Sequence, residues 1–346
     1  MNALKYRLST AAKALSAIML AGCFLIYGQE CAEGVLTGLY FCAAELIPSL
    51  FPFMFLSAFI SKGGLISKLS KPLSVIGKAF FGLSESTAAV ILAITGGFPV
   101  GAKCIRELLD SGAICEKEAE KAAYISVGAG PGFIISFVGI KLFSSAELGL
   151  CLFSAQLISV ILLGVLNKHI CKGSFSAKST ARVPSAGTAF IDSIISAVYG
   201  LLEMCGIVAF FSAVQATIGA ITGDDRITGV ADVFLEVTNA CEKLSESGII
   251  PVAFAVGFGG LCVHFQVFRA LGNIRLSKLL FFLYRIIQGL ITAALTYAFI
   301  GLFHIPAPVF SSAKSFAPSL SAPIIGSVMF VITSVFFIYT ICKERL

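Results

Sequence analysis

Charged residues are scarce in this sequence, and their scarcity decides the class of protein. Only 13% of the 346 residues are charged, whereas 57% are hydrophobic, and the mean hydropathy is +0.95. A soluble globular domain usually carries about 25% charged residues. Apolar runs of about 20 residues, the length that crosses a bilayer as a helix, recur along most of the chain. We therefore expect an all-α, polytopic protein that is integral to the cell membrane.

Recognisable catalytic and metal-binding patterns are also missing. The eleven cysteines form no CxxC pair and have no metal-ligand spacing to the three histidines. No HExxH, GxSxG or phosphate-binding loop motif is present. We expect no metal, no cofactor and no enzymatic activity, although an intramembrane enzyme with few motifs stays open. No basic stripe interleaved with aromatics occurs, so the net charge of +6 indicates topology and contact with lipid rather than nucleic-acid binding.

The apolar runs predict about eight spanning helices. They cover residues 11–28, 35–60, 122–142, 147–166, 188–218, 249–268, 279–302 and 321–342. Residues 64–82 carry three lysines among apolar residues, which favours a helix lying in the membrane interface. The first run contains Leu20-Ala21-Gly22-Cys23, which resembles a lipoprotein cleavage box. Because apolar sequence continues past Cys23, an uncleaved span is favoured and lipidation of Cys23 stays open.

Basic residues place two loops in the cytoplasm. They are Lys62, Lys68, Lys71 and Lys78 in one loop, and Lys168, Lys172, Lys178 and Arg182 in the other. Counting spans from these loops puts both flanks of residues 83–103 on the same side. This segment must therefore enter the membrane and return, and Gly96-Gly97-Phe98-Pro99 is its natural turning point.

The same count predicts two inverted repeats. The acidic pair Asp224-Asp225 falls outside, so residues 188–218 cross in the direction opposite to residues 35–60. Strict inversion would place the basic residues at 269–278 outside, whereas the positive-inside rule places them inside, so the side of the C-terminus stays open. The predicted units are an N-terminal helix and loop at 1–34, a first repeat at 35–167, a cytoplasmic linker at 168–187, a second repeat at 188–302, and a C-terminal loop and helix at 303–346.

Two glycine-rich stretches interrupt apolar sequence in similar ways. Residues 96–106 and 259–269 share Gly, Gly, Val and a closing Arg when their paired glycines are aligned. Inside a bilayer, irregular backbone is tolerated only where protein or water satisfies its polar groups, so a broken helix usually marks a binding site.

The first stretch predicts an anion site at the start of a half-helix. Free N–H groups at a helix N-terminus and a nearby basic side chain attract negative charge. The candidate residues are Gly97, Phe98, Pro99, Gly101 and Lys103, with Arg106 beyond them. The alternative is that Lys103 and Arg106 only anchor a helix at the interface.

A second irregular patch, at residues 128–132, contains three glycines and a proline. Such a stretch unwinds a helix, and unwound carbonyls can contact a substrate or ion. Gly130 and Pro131 are therefore candidate substrate-binding residues. Close packing of helices through small residues is the alternative.

Polar residues in apolar surroundings mark the second half. Thr238, Asn239, Gly260, His264 and Gln266 are candidates for neutral hydrogen bonds to a ring nitrogen or carboxylate. Glu236 or His264 could take up a coupling proton. The alternative for each is a hydrogen bond that only holds helices together.

These elements together resemble a known family, the stage V sporulation integral membrane proteins, within the nucleoside-recognition or Gate domain membrane proteins. The matching pieces occur in family order. They are Ile47-Pro48-Ser49-Leu50-Phe51-Pro52-Phe53, Gly97-Phe98-Pro99-Val100-Gly101-Ala102-Lys103, Gly130-Pro131, Glu236-Val237-Thr238-Asn239 and residues 259–267. The family pattern has an Asn-Asn-Ser run before Gly-Pro, where this chain has Val127-Gly128-Ala129.

The resemblance implies a fold related to concentrative nucleoside transporters. It implies a secondary transporter of a small heterocyclic carboxylate, with dipicolinate as the substrate, moved across the forespore outer membrane during sporulation. Lys103 and half-helix N-termini would hold the carboxylates, and Asn239, His264 and Gln266 the ring side. The alternatives are a nucleoside or nucleobase transporter and a non-transporting membrane protein needed for spore assembly. Related folds often form oligomers, so a homo-oligomer is a further expectation.

Overall fold

The computed structural model describes residues 2–63, 65–170, 186–223 and 225–306, and within these ranges all regular structure is helical. The helices are α1 (Asn2–Ile26), α2 (Gly28–Phe41), α3 (Ile47–Lys62), α4 (Leu65–Phe80), α5 (Thr87–Gly96), α6 (Phe98–Asp110), α7 (Glu116–Ala123), α8 (Ala146–Ile170), α9 (Ala186–Thr222), α10 (Asp225–Leu235), α11 (Val237–Ser245), α12 (Ile249–Phe258), α13 (Gly260–Leu271) and α14 (Lys278–Phe303). Two π-helical stretches, Cys42–Leu46 and Gly132–Leu142, lie between α2 and α3 and before α8.

Five helical stretches of the described residues are long and apolar enough to cross a membrane. They are Gly28–Lys62, Ala146–Lys168, Thr188–Thr222, Ile249–Leu271 and Lys278–Phe303. Large apolar side chains such as Leu36, Tyr199 and Leu290 lie exposed on them, which suits contact with lipid because lipid chains are themselves apolar. The prediction of an all-helical, multi-pass membrane protein is confirmed.

In two of the remaining predicted spans, the observed apolar helix is shorter than a full membrane crossing. Shorter apolar helices, Lys13–Ile26 and Gly132–Leu142, occupy parts of the predicted spans 11–28 and 122–142. The predicted span 321–342 lies outside the described residues. The number of crossings therefore stays a prediction.

Two pairs of short helices fold back on themselves. α5 and α6 pack against each other, so the chain turns at Gly97, as the hairpin predicted for residues 83–103 requires. α10 and α11 form a second packed pair with its turn at Glu236. In the sequence, residues 230–247 show charged residues on an otherwise apolar, amphipathic pattern, which does not by itself predict a turn.

Each hairpin is followed by a broken helix and then by a long helix. In the first half residues 124–130 are non-helical between α7 and the π-helix, and in the second half Gly259 separates α12 from α13. The order of long helix, hairpin, broken helix and long helix therefore occurs twice along the described residues. The inverted orientation of the two series and the unit boundaries remain predictions.

The long helices form a frame around the short ones. α9 packs against α2 and α3, and α14 packs against α8 and α12. α6 of the first hairpin packs against α13 of the second broken helix, which brings the interrupted elements of the two halves to the centre. Residues 121–130 are buried throughout, so the non-helical backbone lies inside protein rather than against lipid, as bilayer physics demands.

Candidate functional site

A cavity lies where the interrupted helices meet. It encloses about 460 Å³ of empty space, part of it open to solvent. Its wall combines the α5–α6 turn, Gly130, the start of α11 and one face of α13 with apolar side chains of α3 and α9. A mostly apolar cavity with a few convergent polar groups is the usual form of a small-molecule site.

The α5–α6 turn depends on glycine at position 97. Gly97 has φ +87° and ψ −178°, a conformation that is essentially restricted to glycine. A Cβ at Gly130 would lie 3.2 Å from the Gly97 nitrogen, so the absence of side chains lets the two backbone segments approach. The first half-helix thus starts at the cavity wall beside the non-helical stretch.

The N-terminus of α6 is left without a side-chain cap. Gly97 occupies the capping position and makes no side-chain hydrogen bond there, and Phe98 and Pro99 follow it on the cavity wall. The first turn of a helix presents the positive end of the helix dipole, but here Pro99 has no N–H and the Val100 nitrogen donates to Gly97 O at 3.1 Å. The helix dipole and the Phe98 N–H are therefore what this terminus offers to an anionic group in the cavity.

The N-terminus of α11, on the same cavity, is capped by the chain itself. The Glu236 carboxylate accepts hydrogen bonds at Oε2 from the backbone nitrogens of Thr238 (2.9 Å) and Asn239 (2.8 Å). Glu236 is 1% exposed and lies outside the five long apolar helices. Burial raises the pKa of its carboxyl, while the N–H groups of Asn239 and Thr238 act in the opposite sense. A carboxylate of the chain itself therefore caps one of the two half-helix N-termini on this cavity.

The second break approaches this cap about as closely as the first break, at Gly130, approaches the turn at Gly97. Gly260 has φ +69°, and a Cβ there would lie 3.3 Å from Glu236 N, Leu235 O and Val237 N. Gly260 therefore lets the broken helix contact the hairpin backbone. Gly260 thus allows the two backbone segments to pack closely, but it does not line the cavity.

Arg285 of α14 supports the non-helical stretch. It donates from Nη1 to Val127 O (2.8 Å) and from Nη2 to Tyr124 O (2.5 Å), and its guanidinium lies 5.4 Å from the centre of the Phe281 ring. Arg285 is 1% exposed. Two carbonyls that lack helical partners are thereby satisfied, as buried backbone requires.

Two glutamines complete this support. Gln156 of α8 donates to Ala129 O (2.8 Å) and accepts from Ala129 N (3.1 Å), while Gln288 of α14 donates to Val127 O (3.3 Å). The unwinding predicted from residues 128–132 is present, and the frame helices α8 and α14 hold it open.

A buried carboxylate fixes the start of the first hairpin. Glu118 of α7 is 1% exposed and accepts hydrogen bonds from the hydroxyls of Ser84 and Ser86, the shortest at 2.7 Å. The Ser84 backbone nitrogen donates to the same carboxylate at 2.8 Å. The hairpin is thus anchored to the broken helix next to it.

Half of the predicted substrate-binding residues line the cavity together. They are Gly97, Phe98, Pro99, Gly130, Thr238 and Gln266, and the predicted proton-coupling residue Glu236 lines it as well. The first element, the glycine-proline patch and the second half therefore converge, although long stretches of sequence separate them. Phe133, Cys262 and Val263 share the wall and were not identified from the sequence.

Lys103 lies in a neighbouring, smaller cavity. Ser57, Glu107 and Ser196 line that cavity with it, and a Cβ on Gly200 would lie 2.7 Å from its Nζ. The predicted role of Lys103 as a direct carboxylate ligand is therefore not supported by its position, because it faces α9 one turn below Pro99. Arg106 pairs with Asp110 at 2.6 Å.

Asn239 faces away from the cavity, towards α9. Its Nδ2 donates to Ser212 Oγ (3.0 Å) and to Gln215 Oε1 (2.5 Å). These contacts agree with the alternative interpretation of Asn239, in which its hydrogen bonds hold two helices together.

His264 lies among aromatic rings rather than on the cavity wall. Its Nδ1 is 2.5 Å from Gly260 O, and its ring centre is 5.2 Å from those of Phe258 and Phe281. Neither substrate contact nor a proton relay into the cavity follows from this position. Gly101 and Pro131 are also off the wall: a Cβ at Gly101 would lie 2.5 Å from Ser126 O, which identifies a packing glycine, and Pro131 precedes the π-helix.

Comparison with known proteins gives one curated relative. The chain is 24% identical over 326 residues to the sporulation integral membrane protein YlbJ of Bacillus subtilis (strain 168), covering 80% of this chain and 79% of the relative. No family model and no solved structure matches. The similarity covers both halves of the interrupted-helix arrangement and links the chain to a membrane protein of sporulation.

Proposed function

We propose that the chain is a secondary transporter of a small heterocyclic carboxylate, with dipicolinate as its substrate, that acts across the forespore outer membrane during sporulation. The observation that carries this proposal is the pair of half-helix N-termini on one cavity. One is occupied by the Glu236 carboxylate, and the other, at Gly97, has no side-chain cap.

The capped terminus indicates what the uncapped terminus would bind. At α11, a carboxylate accepts two backbone N–H groups in buried surroundings. At the start of α6 the residue equivalent to Thr238 is Pro99, which has no N–H, and the Val100 nitrogen donates to Gly97 O at 3.1 Å. A substrate carboxylate there would meet the Phe98 N–H and the same sign of helix dipole. Helix termini on a central cavity between moving elements are a recurrent arrangement in transporters.

The rest of the wall suits a planar ring. Phe98 and Phe133 contribute aromatic side chains, and Thr238 and Gln266 contribute a hydroxyl and an amide. Aromatic rings stack on other rings with an added gain of about 0.5–1.5 kcal/mol. The neutral polar groups can hydrogen-bond a ring nitrogen or the second carboxylate, so the site needs no further cation.

Glu236 supplies a route for proton coupling. Its ionised form would repel an anion in the same cavity, and its raised pKa favours the neutral form. Proton uptake at Glu236 would therefore favour binding of the anion.

The test is uptake of dipicolinate by vesicles that contain the purified protein. Thr238→Val removes, at nearly constant volume, a cavity-wall hydroxyl that also hydrogen-bonds the Glu236 carboxyl. It is expected to reduce uptake at subsaturating substrate about two- to tenfold, as the loss of one hydrogen bond implies. Thr217→Val is the matched control, because Thr217 is equally buried but donates to Ala213 O within α9. It should leave uptake unchanged.

Competition in the same assay separates the alternatives. Inhibition by uridine without inhibition by unlabelled dipicolinate would replace the proposal with nucleoside transport. Absence of any uptake, together with normal spore formation by the Thr238→Val strain, would favour a non-transporting membrane protein, because no ligand would then depend on the cavity.

A further inference from the structure

A wide acidic groove lies outside the cavity, between α2, α9, α10 and α11. It holds about 1360 Å³ of space, part of it open to solvent. Five carboxylates and a single lysine line it: Glu30, Glu33, Asp232, Glu242 and Glu246 with Lys243. The loop charges predict that this end of the molecule is extracytoplasmic. The groove shares no residue with the proposed substrate cavity, so its function can be examined independently of transport.

Two buried polar side chains on the groove wall are incompletely satisfied. Asp232 is 1% exposed; its Oδ2 accepts from Lys243 Nζ, whereas its Oδ1 has no hydrogen-bond partner among the described residues. Gln215 is 5% exposed, and its Nε2 likewise has none. A bound hydrogen-bond donor would therefore offset the cost of about 1–3 kcal/mol for the unpaired Asp232 oxygen, whereas the Gln215 nitrogen is itself a donor and would gain nothing from such a group.

The spacing of the carboxylates selects the class of ligand. Glu30 and Glu33 lie on α2; across the groove, Glu242 lies on α11 and Glu246 directly follows that helix. A metal ion requires several oxygens to converge within about 2.3–2.6 Å of one point, and no group of three or more acidic, Cys or His side chains among the described residues does so. Carboxylates distributed along two walls instead fit positive charges that are distributed along a chain.

One ion pair on the groove wall shows how an ammonium group binds there. The Lys243 ammonium binds Asp232, while Glu30, Glu242 and Glu246 make no ion pair among the described residues. An ammonium presents three donors and no acceptor, which matches a wall of carboxylate and amide oxygens. We propose that this groove is a binding site for ligands carrying primary ammonium groups, of the linear polyamine type.

The experiment uses the full-length protein in phosphatidylcholine nanodiscs and follows its thermal unfolding. Spermidine should give a saturable rise in Tm, because a ligand that binds only the folded state raises apparent stability. Propylamine and MgCl2, supplied at equal ionic strength, should give smaller rises. An equal rise with MgCl2 would overturn the proposal, since it would show general screening of charge.

Single carboxylate variants locate the site. Glu242→Gln and Glu30→Gln should each weaken spermidine binding about two- to fivefold, the range expected for one exposed ion pair. Neither side chain holds a described partner, so folding should be retained. Glu147→Gln, at an exposed carboxylate on α8, is the control and should have no effect. Unchanged affinity in both groove variants would also overturn the proposal.

A second lipid composition identifies the source of the ammonium group. In nanodiscs containing phosphatidylethanolamine, the spermidine effect should persist if free polyamine is the ligand. If it disappears there, and Glu242→Gln lowers the Tm only in that lipid, the same ammonium chemistry is supplied by the lipid headgroup.

Discussion

The two hairpin turns, at Gly97 and at Glu236, meet the same need in different ways. Both begin a half-helix at the central cavity, and both touch a glycine of the neighbouring broken helix. The turn at Glu236 satisfies its own N–H groups with a carboxylate, whereas the turn at Gly97 supplies no side chain at all. The chain itself caps one terminus, whereas the other has no side-chain cap, and the proposed function assigns this second terminus to the ligand.

The broken helices next to these turns differ in a related way. In the second half the interruption is confined to Gly259 and Gly260. In the first half it extends over residues 124–130 and relies on Arg285 and Gln156 from other helices. The terminus without a side-chain cap therefore lies beside the part of the fold that needs the most external support, which is where substitutions should have their largest effects.

Loss of Arg285 should have the largest effect. Arg285→Met leaves Tyr124 O buried without its described side-chain donor and reduces Val127 O to the longer bond from Gln288. We expect the free energy of unfolding to fall by about 3–5 kcal/mol, because two hydrogen bonds from a charged donor are lost and each contributes about 1.5–3 kcal/mol; chemical or thermal unfolding in detergent measures the change. Arg269→Met is the control: this arginine pairs with Glu203 at 3.2 Å on the surface, and its loss should cost less than about 1 kcal/mol.

An Arg285→Lys variant sharpens that test. It keeps the charge but cannot donate to two carbonyls from a planar fork, so it should recover only part of the lost stability. Full stability of Arg285→Met would contradict the view that the non-helical stretch depends on this side chain.

A methyl group at Gly97 should affect both stability and binding. Gly97→Ala forces a residue with a side chain into a glycine-only conformation, at a cost of about 1–3 kcal/mol, and places a Cβ 3.5 Å from Gly130 N. We expect a lower Tm together with a loss of dipicolinate-dependent stabilisation.

Gly112→Ala separates these two consequences. Gly112 also has positive φ, +72°, but a Cβ there would contact nothing within 4 Å, and it follows α6 at a distance from the cavity. It should lower the Tm while leaving ligand stabilisation intact. Equal loss of ligand response in both variants would show that general destabilisation, and not the terminus of α6, is responsible.

Sequence patterns predicted the long elements and the first turn because each depends on local rules. Apolar runs identified the crossings, and Gly-Gly-Phe-Pro identified the fold-back at Gly97. The second hairpin was missed because α10 and α11 read as an amphipathic segment. Matching the paired glycines at 96–97 and 259–260 also aligned a hairpin turn with an interrupted crossing helix. The similar segments Val127-Gly128-Ala129-Gly130 and Val256-Gly257-Phe258-Gly259 align the two broken helices with each other, which agrees with the observed elements.

The positions of individual side chains depended on helix phase. On α13, Cys262 and Gln266 are one turn apart and face the cavity, whereas His264 is two residues from either and points to the opposite side. That distinction was available from the sequence once the helix was assumed. Arg285 was not identifiable in this way, because its partners are backbone carbonyls of a segment more than 150 residues away.

The smallest predicted effect concerns pH and tests the role of Glu236 directly. The raised pKa of this carboxyl means that the neutral form persists to higher pH than for an exposed glutamate. Dipicolinate affinity should therefore fall as pH rises through that raised pKa, since ionised Glu236 repels the anion. Glu236→Gln is always neutral, and should flatten the pH dependence of binding while retaining uptake at the acid end. Its stability cost should be about 0.5–2 kcal/mol, because a glutamine caps the N-terminus of α11 less well than the carboxylate. If the pH profile of the variant matches that of the parent protein, the coupling proton binds elsewhere, and the occupied terminus is only structural.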